Sequence, residues 1–441
     1  MVMSDYEESP RAADGSYPSL RRNWDFLRLL FGRLVTNAGD SLYAVTVMWL
    51  VYDITQSTVY TGIAESLLLF PMVLSFLFGP FVDRWPITRI LVVIQLIQAI
   101  VISLVPIAAY TGNLTIELLL VTIPLLALLN QFVYPAQSAA LPLIVSEDQL
   151  ARANSAFSFT LRGLDMLFEA FGGILIVFLG AVSLFVVDSI TFVVAALLFV
   201  GVRVPAVENP NEDNSEIDVS GYIADMREGV RALRGSVLLE MAFATMVSSF
   251  GTGMMLAVLP SFAEIRAGPA LFGAMLGALG IGRALGAALA SRLESLKFGH
   301  LRIVTAGSGC ILWLGAVYTP WPPLAVGLFV LAWMPAGIAG VLGGTLEQIV
   351  TPDHLLGRVA SVTSSASTLL LPIGALLGGV IGSMIGTLNT MAMAGLTLGF
   401  VSLLFAVRPR LRRLPAINNI DPEEFNIRGT SSSSPERADR V

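Results

Sequence analysis

Charge is scarce in this sequence. Only 13% of its 441 residues are Asp, Glu, Lys or Arg, where a soluble domain of this length carries about 25%. Lysine is almost missing, with Lys297 alone against 25 arginines. There is one cysteine, Cys310, inside an apolar run, so no internal disulfide can form. The two histidines, His300 and His354, lie far apart in loops and lack metal-ligand spacing. No Gly-x-x-x-x-Gly-Lys-Ser/Thr loop is present, so ATP is not an internal energy source. Metal, thiol and nucleotide chemistry have no foothold. An enzyme, a cofactor and a nucleic-acid partner are not expected.

Apolar sequence is abundant. Hydrophobic residues make up 55% of the chain, and the mean hydropathy is +0.76. They come in runs of about 20 residues, the length that spans roughly 30 Å of hydrocarbon. Such runs fall at 29–51, 61–82, 90–110, 118–143, 156–178 and 182–202, and again at 237–259, 271–290, 301–318, 324–346, 359–382 and 388–407. The fold class is therefore all-α integral membrane, with twelve transmembrane helices. The expected divisions are a tail at 1–28, a six-helix bundle at 29–202, a linker at 203–236, a second bundle at 237–407 and a tail at 408–441.

Basic residues set the orientation. Of 26 Lys and Arg, Arg33, Arg162 and Arg283 lie deep within spans, Arg266 falls on one side and the other 22, counting Arg302 at the edge of a span, fall on the opposite side. The positive-inside rule then makes both tails cytoplasmic in a cell-membrane protein. The acidic N-terminal stretch, with Asp5, Glu7, Glu8 and Asp14 and no apolar core, reads as a cytoplasmic tail rather than a signal peptide. The linker begins acidic (Glu208 to Asp218) and ends basic (Arg227, Arg231, Arg234). Its first part is expected to be disordered, and its second an amphipathic helix along the headgroups. The sequence from Pro415 onward is expected to be flexible.

An internal repeat divides the chain. Arg152, in the loop after the fourth span, and Arg358, after the tenth, are 206 residues apart. The same offset carries Gly172-Gly173 onto Gly378-Gly379. Two halves of parallel topology follow, as in transporters whose halves meet around a midplane site.

Gly79-Pro80-Phe81-Val82-Asp83-Arg84, followed by Arg89, resembles the loop signature of the major facilitator superfamily. Ile87 and Thr88 stand where that family has basic residues. The second-half counterpart near Arg292 has Ser291 in place of the acid. Gly39-Asp40, Tyr134-Pro135-Ala136-Gln137, Leu150-Ala151-Arg152-Ala153-Asn154 and Asp188-Ser189-Ile190-Thr191-Phe192 resemble its enterobactin-exporter and macrolide-efflux-like branch. The resemblance implies alternating access and a gating latch of Gly79, Asp83, Arg84, Arg89, Arg152, Glu347 and Arg358; the plainer reading of Asp83 and Arg84 is topological charge. The fifth-span antiporter signature is half kept. Gly172-Gly173 is present, but Phe168-Glu169 replaces its Gly-Pro.

Charge within a bilayer costs about 2.5–3.5 kcal/mol or more at the centre and marks function by default. Arg33, Asn37 and Asp40 share one face of the first span, by i, i+4, i+7 spacing. Arg162, Asp165 and Glu169 form a stripe on the fifth. Two readings of that stripe stay open. Asp165 and Glu169, four residues apart, resist ionising together, which suits a proton carrier; alternatively, Arg162 neutralises Asp165 and the stripe lines water. Glu65 is placed near the outer end of the second span, where snorkelling is the plain explanation. Asn130, Tyr134 and Gln137 share a face of the fourth span and are candidate cavity-lining groups. Arg283, between Gly282 and Gly286, needs a carboxylate from the other half or an anionic substrate.

The expected function is secondary transport: proton-coupled efflux of a lipophilic or amphipathic small molecule by a monomer. Metabolite import or facilitated diffusion is a second reading, and a non-transporting sensor or scaffold a third. Coupling is expected to rest on the first and fifth spans, with the second half supplying shape.

Overall fold

The computed structural model describes residues 18–74, 85–204, 227, 229–231, 233 and 235–420, without the side chains of Arg162 and Met166. Its helices in the first half are α1 (Trp24–Thr55), α2 (Thr58–Val73), α3 (Ile87–Tyr110), α4 (Ile116–Asn130), α5 (Val133–Ile144), α6 (Glu147–Leu179) and α7 (Ala181–Val200). The second half has α8 (Val237–Arg266), α9 (Pro269–Leu293), α10 (Phe298–Tyr318), α11 (Pro322–Val350), α12 (Asp353–Ile385) and α13 (Thr387–Val407). The short α14 (Pro409–Arg412) follows. Among the described residues, ten helical segments are long and apolar enough to cross a membrane, α4 and α5 together forming one of them. The shorter α2 and the charge-bearing α6 complete the twelve-helix arrangement. Exposed Ile100, Leu197, Ile311 and Leu403 are typical of its lipid-facing surface.

Several helices outrun their apolar cores. The α1 helix begins at Trp24 because Asn23 caps it: Asn23 Oδ1 accepts from Phe26 N at 3.1 Å, and Asn23 Nδ2 donates to Ile144 O at 2.6 Å. Hydropathy alone sees only the lipid-matched portion. The fourth span is broken where one continuous helix was expected. Pro135 has no N–H to offer Gln131 O, and its ring crowds the preceding turn. Gln131 and Phe132 instead tighten into i−3 bonds to Leu128 and Leu129.

The repeat is carried into the backbone. The α6 and α12 helices each have 33 residues, and their ends stand 206 residues apart. Each ends on a glycine, Gly180 (φ 78°) and Gly386 (φ 87°), a left-handed turn that other residues rarely adopt. Two pseudo-symmetric six-helix bundles result.

The ends where α1 begins and α13 stops are called basal here, and the opposite ends distal. One apolar cluster bridges the halves distally, from Val45 and Trp49 to Phe262, Phe272 and Phe329. Basally each half has clusters of its own, around Phe26 and Phe199 in the first and around Phe298 and Phe405 in the second. Glycines permit the distal contact: Gly173 lies against Gly273 and the Pro269 carbonyl, and Gly379 against Gly62 and the Thr58 carbonyl. Thr61 Oγ1 donates to Ala257 O at 2.6 Å, and Thr58 Oγ1 to Gly379 O at 2.9 Å. Trp49 and Phe272 rings pack 6.0 Å apart.

Two connecting segments differ from expectation. The acidic part of the linker lies outside the described residues. The basic part is helical where described, but Leu233 is buried against Leu355, Val359 and Leu238 rather than left to headgroups. Residues 415–420 are not a loose tail. Phe298 N donates to Pro415 O at 3.0 Å, Ile417 N donates to Glu294 O at 3.2 Å, and Leu414 and Ile417 join the second-half basal core. Apolar side chains there have protein to cover them. The stretch with Ser431 to Ser434 lies outside the described residues.

Candidate functional site: a polar network between the halves

The centre is built on α1 and α6, which pack against each other because Gly172 lets Val45 approach. Asn37 Nδ2 donates to Asp165 Oδ1 at 2.6 Å and to Leu161 O at 3.1 Å. Ser41 Oγ lies 2.8 Å from both Asp165 Oδ1 and Asn37 O. Its single proton can serve either, so one rotation removes one of the two donors on Asp165 Oδ1. Hydrogen bonds to a charged acceptor are the strong kind.

Arg33 and Asp40 extend the network. Arg33 is buried; its Nε donates to Gln137 Oε1 at 2.9 Å and its Nη1 to Thr36 Oγ1 at 3.3 Å. Asp40 Oδ2 accepts from Asn130 Nδ2 at 3.3 Å. Arg33 and Asp165 both act electrostatically on Asp40, although neither forms a close pair with it. Asn130 and Gln137 therefore join the site from either side of the break between α4 and α5, and Tyr134 does not. That phenol is 67% exposed, with no hydrogen bond among the described residues.

Glu169 is the hinge of the arrangement. It lies in the electrostatic field of Asp165 on its own helix and of Arg283 on α9 of the other half. It also acts on Glu65. Glu65 is 6% exposed, which overturns snorkelling: its side chain is enclosed by protein. Arg283 sits 4.7 Å over the Trp333 ring, a cation–π contact, besides feeling Glu169. The side chain of Arg162 is not described.

Asp188, part of the Asp188–Phe192 stretch, lies beside this network. It is wholly buried on α7; Oδ1 accepts from Thr191 Oγ1 at 3.0 Å, and Oδ2 has no partner among the described residues. Gly39 leaves room for this carboxylate beside α1. Asp188 shares its field with Asp40 and with the buried Tyr43 hydroxyl. An acid amid an otherwise apolar span was the available signal.

Only part of the expected latch lies among the described residues. Gly79, Asp83 and Arg84 lie outside the described residues. Arg89 and Arg152 are exposed. Glu347 Oε1 accepts from Thr363 Oγ1 at 3.0 Å, tying α11 to α12. Arg358 packs its backbone against Gly229 of the linker. Three or more metal-ligating residues gather nowhere among the described residues.

Comparison with known proteins gives the family. Residues 16–433 match the family described as transmembrane secretion effector. The multidrug efflux pump Tap of Mycolicibacterium fortuitum is 26% identical over 405 residues, 88% of this chain and 96% of that protein. The enterobactin exporter EntS of Salmonella typhimurium is 25% identical over 292 residues, 64% of this chain and 68% of that one. Among solved structures, a bacterial homologue of the human lysosomal transporter Spinster, inward-facing and occupied, aligns with a TM-score of 0.67 at 12% identity, covering 89% and 98% of the two chains. The nucleoside transporter NupG gives 0.65 at 12% identity, covering 90% and 100%. The chain is a multi-pass membrane protein and belongs to the transmembrane secretion effector family of major facilitator superfamily transporters.

Proposed function

We propose that this transporter is a proton-coupled exporter of a lipophilic or amphipathic small molecule, working by alternating access as a monomer in the cytoplasmic membrane. Both tails face the cytoplasm in this reading, supported by the 22 basic residues that the order of the spans assigns to one side. The observation that carries it is the Asp165–Glu169 pair. Asp165 is gripped from α1, while Glu169 looks across to Arg283. When the halves rock, the Glu169–Arg283 distance changes and the α1–α6 grip need not. A proton on Glu169 releases it from Arg283; loss of the proton restores the attraction. Carboxylates on one half facing a cation on the other therefore link protonation to the halves' relative position. The bridged distal core and separate basal cores suit a state that admits cargo from the cytoplasm. The efflux activity named for Tap and EntS supports the direction.

The test is substrate-dependent proton flux. The protein is reconstituted in vesicles, an inside-acidic gradient is imposed, and lipophilic drugs and siderophore-like compounds are screened. Flux is expected with some of these compounds and should vanish in Asp165→Asn and Glu169→Gln. Transport that persists after the gradient is dissipated overturns proton coupling.

A further inference from the structure

The second half holds a cavity of about 240 Å³ whose described lining comes entirely from α8, α9, α10, α11 and α13. It contains no residue of the acidic network in the first half. Two arginines line it, Arg283 and Arg302. Arg283 has the field of Glu169 to answer it. Arg302 has no acid among the described residues: Nη1 makes a long 3.4 Å contact to Pro335 O, and its guanidinium sits 5.5 Å from the Phe405 ring centroid. Two cations on one small cavity repel, and an anion between them relieves that repulsion.

A second observation points the same way. Trp333 also lines the cavity; its side chain is 5% exposed and its indole N–H has no acceptor among the described residues. Burying such a donor without a partner is unfavourable. Its neighbour Trp313 is already satisfied, donating to Met391 O at 2.9 Å. The two indole rings lie 5.5 Å apart and, with Pro335 and Leu398, give the cavity an aromatic and apolar wall. Thr252 and Ser248 add hydroxyls. The cavity is smaller than the roughly 300–1,000 Å³ of most ligand pockets, so it suits a single ring system.

We propose that this cavity is a binding site for an aromatic monoanion, with its acid group met by Arg302 and the Trp333 N–H and its ring laid against the tryptophans. Guanidinium is the cation best shaped for a planar carboxylate. Resting on the exporter reading, this narrows the cargo to molecules bearing an aromatic acid.

The experiment is equilibrium dialysis of the full chain in detergent, with empty micelles as the blank and no gradient. The probes are 1-naphthoate and its uncharged analogue 1-naphthylmethanol. Saturable binding of naphthoate is expected, at least tenfold tighter than the alcohol. Arg302→Gln should weaken naphthoate by roughly tenfold or more, the scale of a lost charge-assisted hydrogen bond, and leave the alcohol unchanged. Arg302→Lys should recover part of the loss. Trp333→Phe, which keeps a ring and removes the N–H, should weaken naphthoate severalfold in a protein that elutes and melts as the parent does. Equal binding of acid and alcohol, or naphthoate binding indifferent to Arg302→Gln, overturns the site and leaves the exporter reading standing. Naphthoate binding intact with no gradient-dependent flux overturns the exporter reading alone.

Discussion

The two halves share a backbone plan, but the enclosed acids fall to the first. The first half keeps Asp40, Glu65, Asp165, Glu169 and Asp188 away from its helix ends or enclosed by protein. In the second, Glu240, Glu264, Glu347 and Asp353 all lie within four residues of a helix end, and its inner cavity carries arginines. Duplication accounts for the matching frames. It does not account for the division, which must come from what each half does. Acids can take up and release protons near neutrality when their environment holds them back from ionising; arginine stays charged and can only attract. In the proposed reading, a proton side on the first half faces an anion site on the second.

The largest effect should come from the frame the halves share. A Cβ at Gly173 would run into the Pro269 carbonyl and Gly273, and one at Gly379 into the Thr58 carbonyl and Gly62. Neither obstacle is a flexible side chain. Gly173→Leu and Gly379→Leu should each force the distal contact apart, abolish transport and lower stability by about 1–3 kcal/mol. Melting in detergent and transport in vesicles check this. If the halves are equivalent as frames, the two variants fail alike. A large effect at one and none at the other breaks the symmetry.

A smaller effect separates the two amides of the first half. Asn37→Ala removes a 2.6 Å donor from Asp165 and should cost about 1.5–3 kcal/mol, as for hydrogen bonds to charged groups. Asn130→Ala removes a 3.3 Å contact to Asp40 and should cost less. Thermal melts of the two variants, side by side, give the comparison. The reverse order would place the strong grip on Asp40 and move the coupling centre toward α4.

Apolar runs, the arginine count and the 206-residue offset made the twelve helices and two halves legible before any coordinates, because lipid imposes length and sidedness directly on the sequence. Spacing within one helix was legible too: Arg33, Asn37 and Asp40 each bond a different partner in the first half, and Arg33 and Asp165 both act on Asp40 through their fields. What depends on two helices was not. That Asn37 would reach Asp165, and that Glu65 would be enclosed within range of Glu169, follows from packing that no periodicity encodes. Tyr134 does not join Asn130 because the break at Gln131 and Phe132 puts the two on separate helices. The second half was expected to supply shape, with Arg283 as its one charge deep in a span; Arg302, counted with the topological charges, lines a cavity.

The smallest effect is also the sharpest test of the division of charge. Glu347 is a second-half carboxylate close to a helix end, and it accepts one hydrogen bond from Thr363. Glu347→Gln keeps an acceptor oxygen at that position and removes only the charge. If acids couple because they are acids, wherever they sit, this variant should lose gradient-driven flux as Glu169→Gln does. If coupling belongs to the first half, the amide should hold Thr363, change stability by no more than about 0.5 kcal/mol and leave proton flux at the parent's level. We expect the second outcome, because Glu347 faces a hydroxyl on its own half and no cation across the gap among the described residues. Motion between the halves then does nothing to its energy, and a group whose energy is the same in both states cannot link a proton to the change.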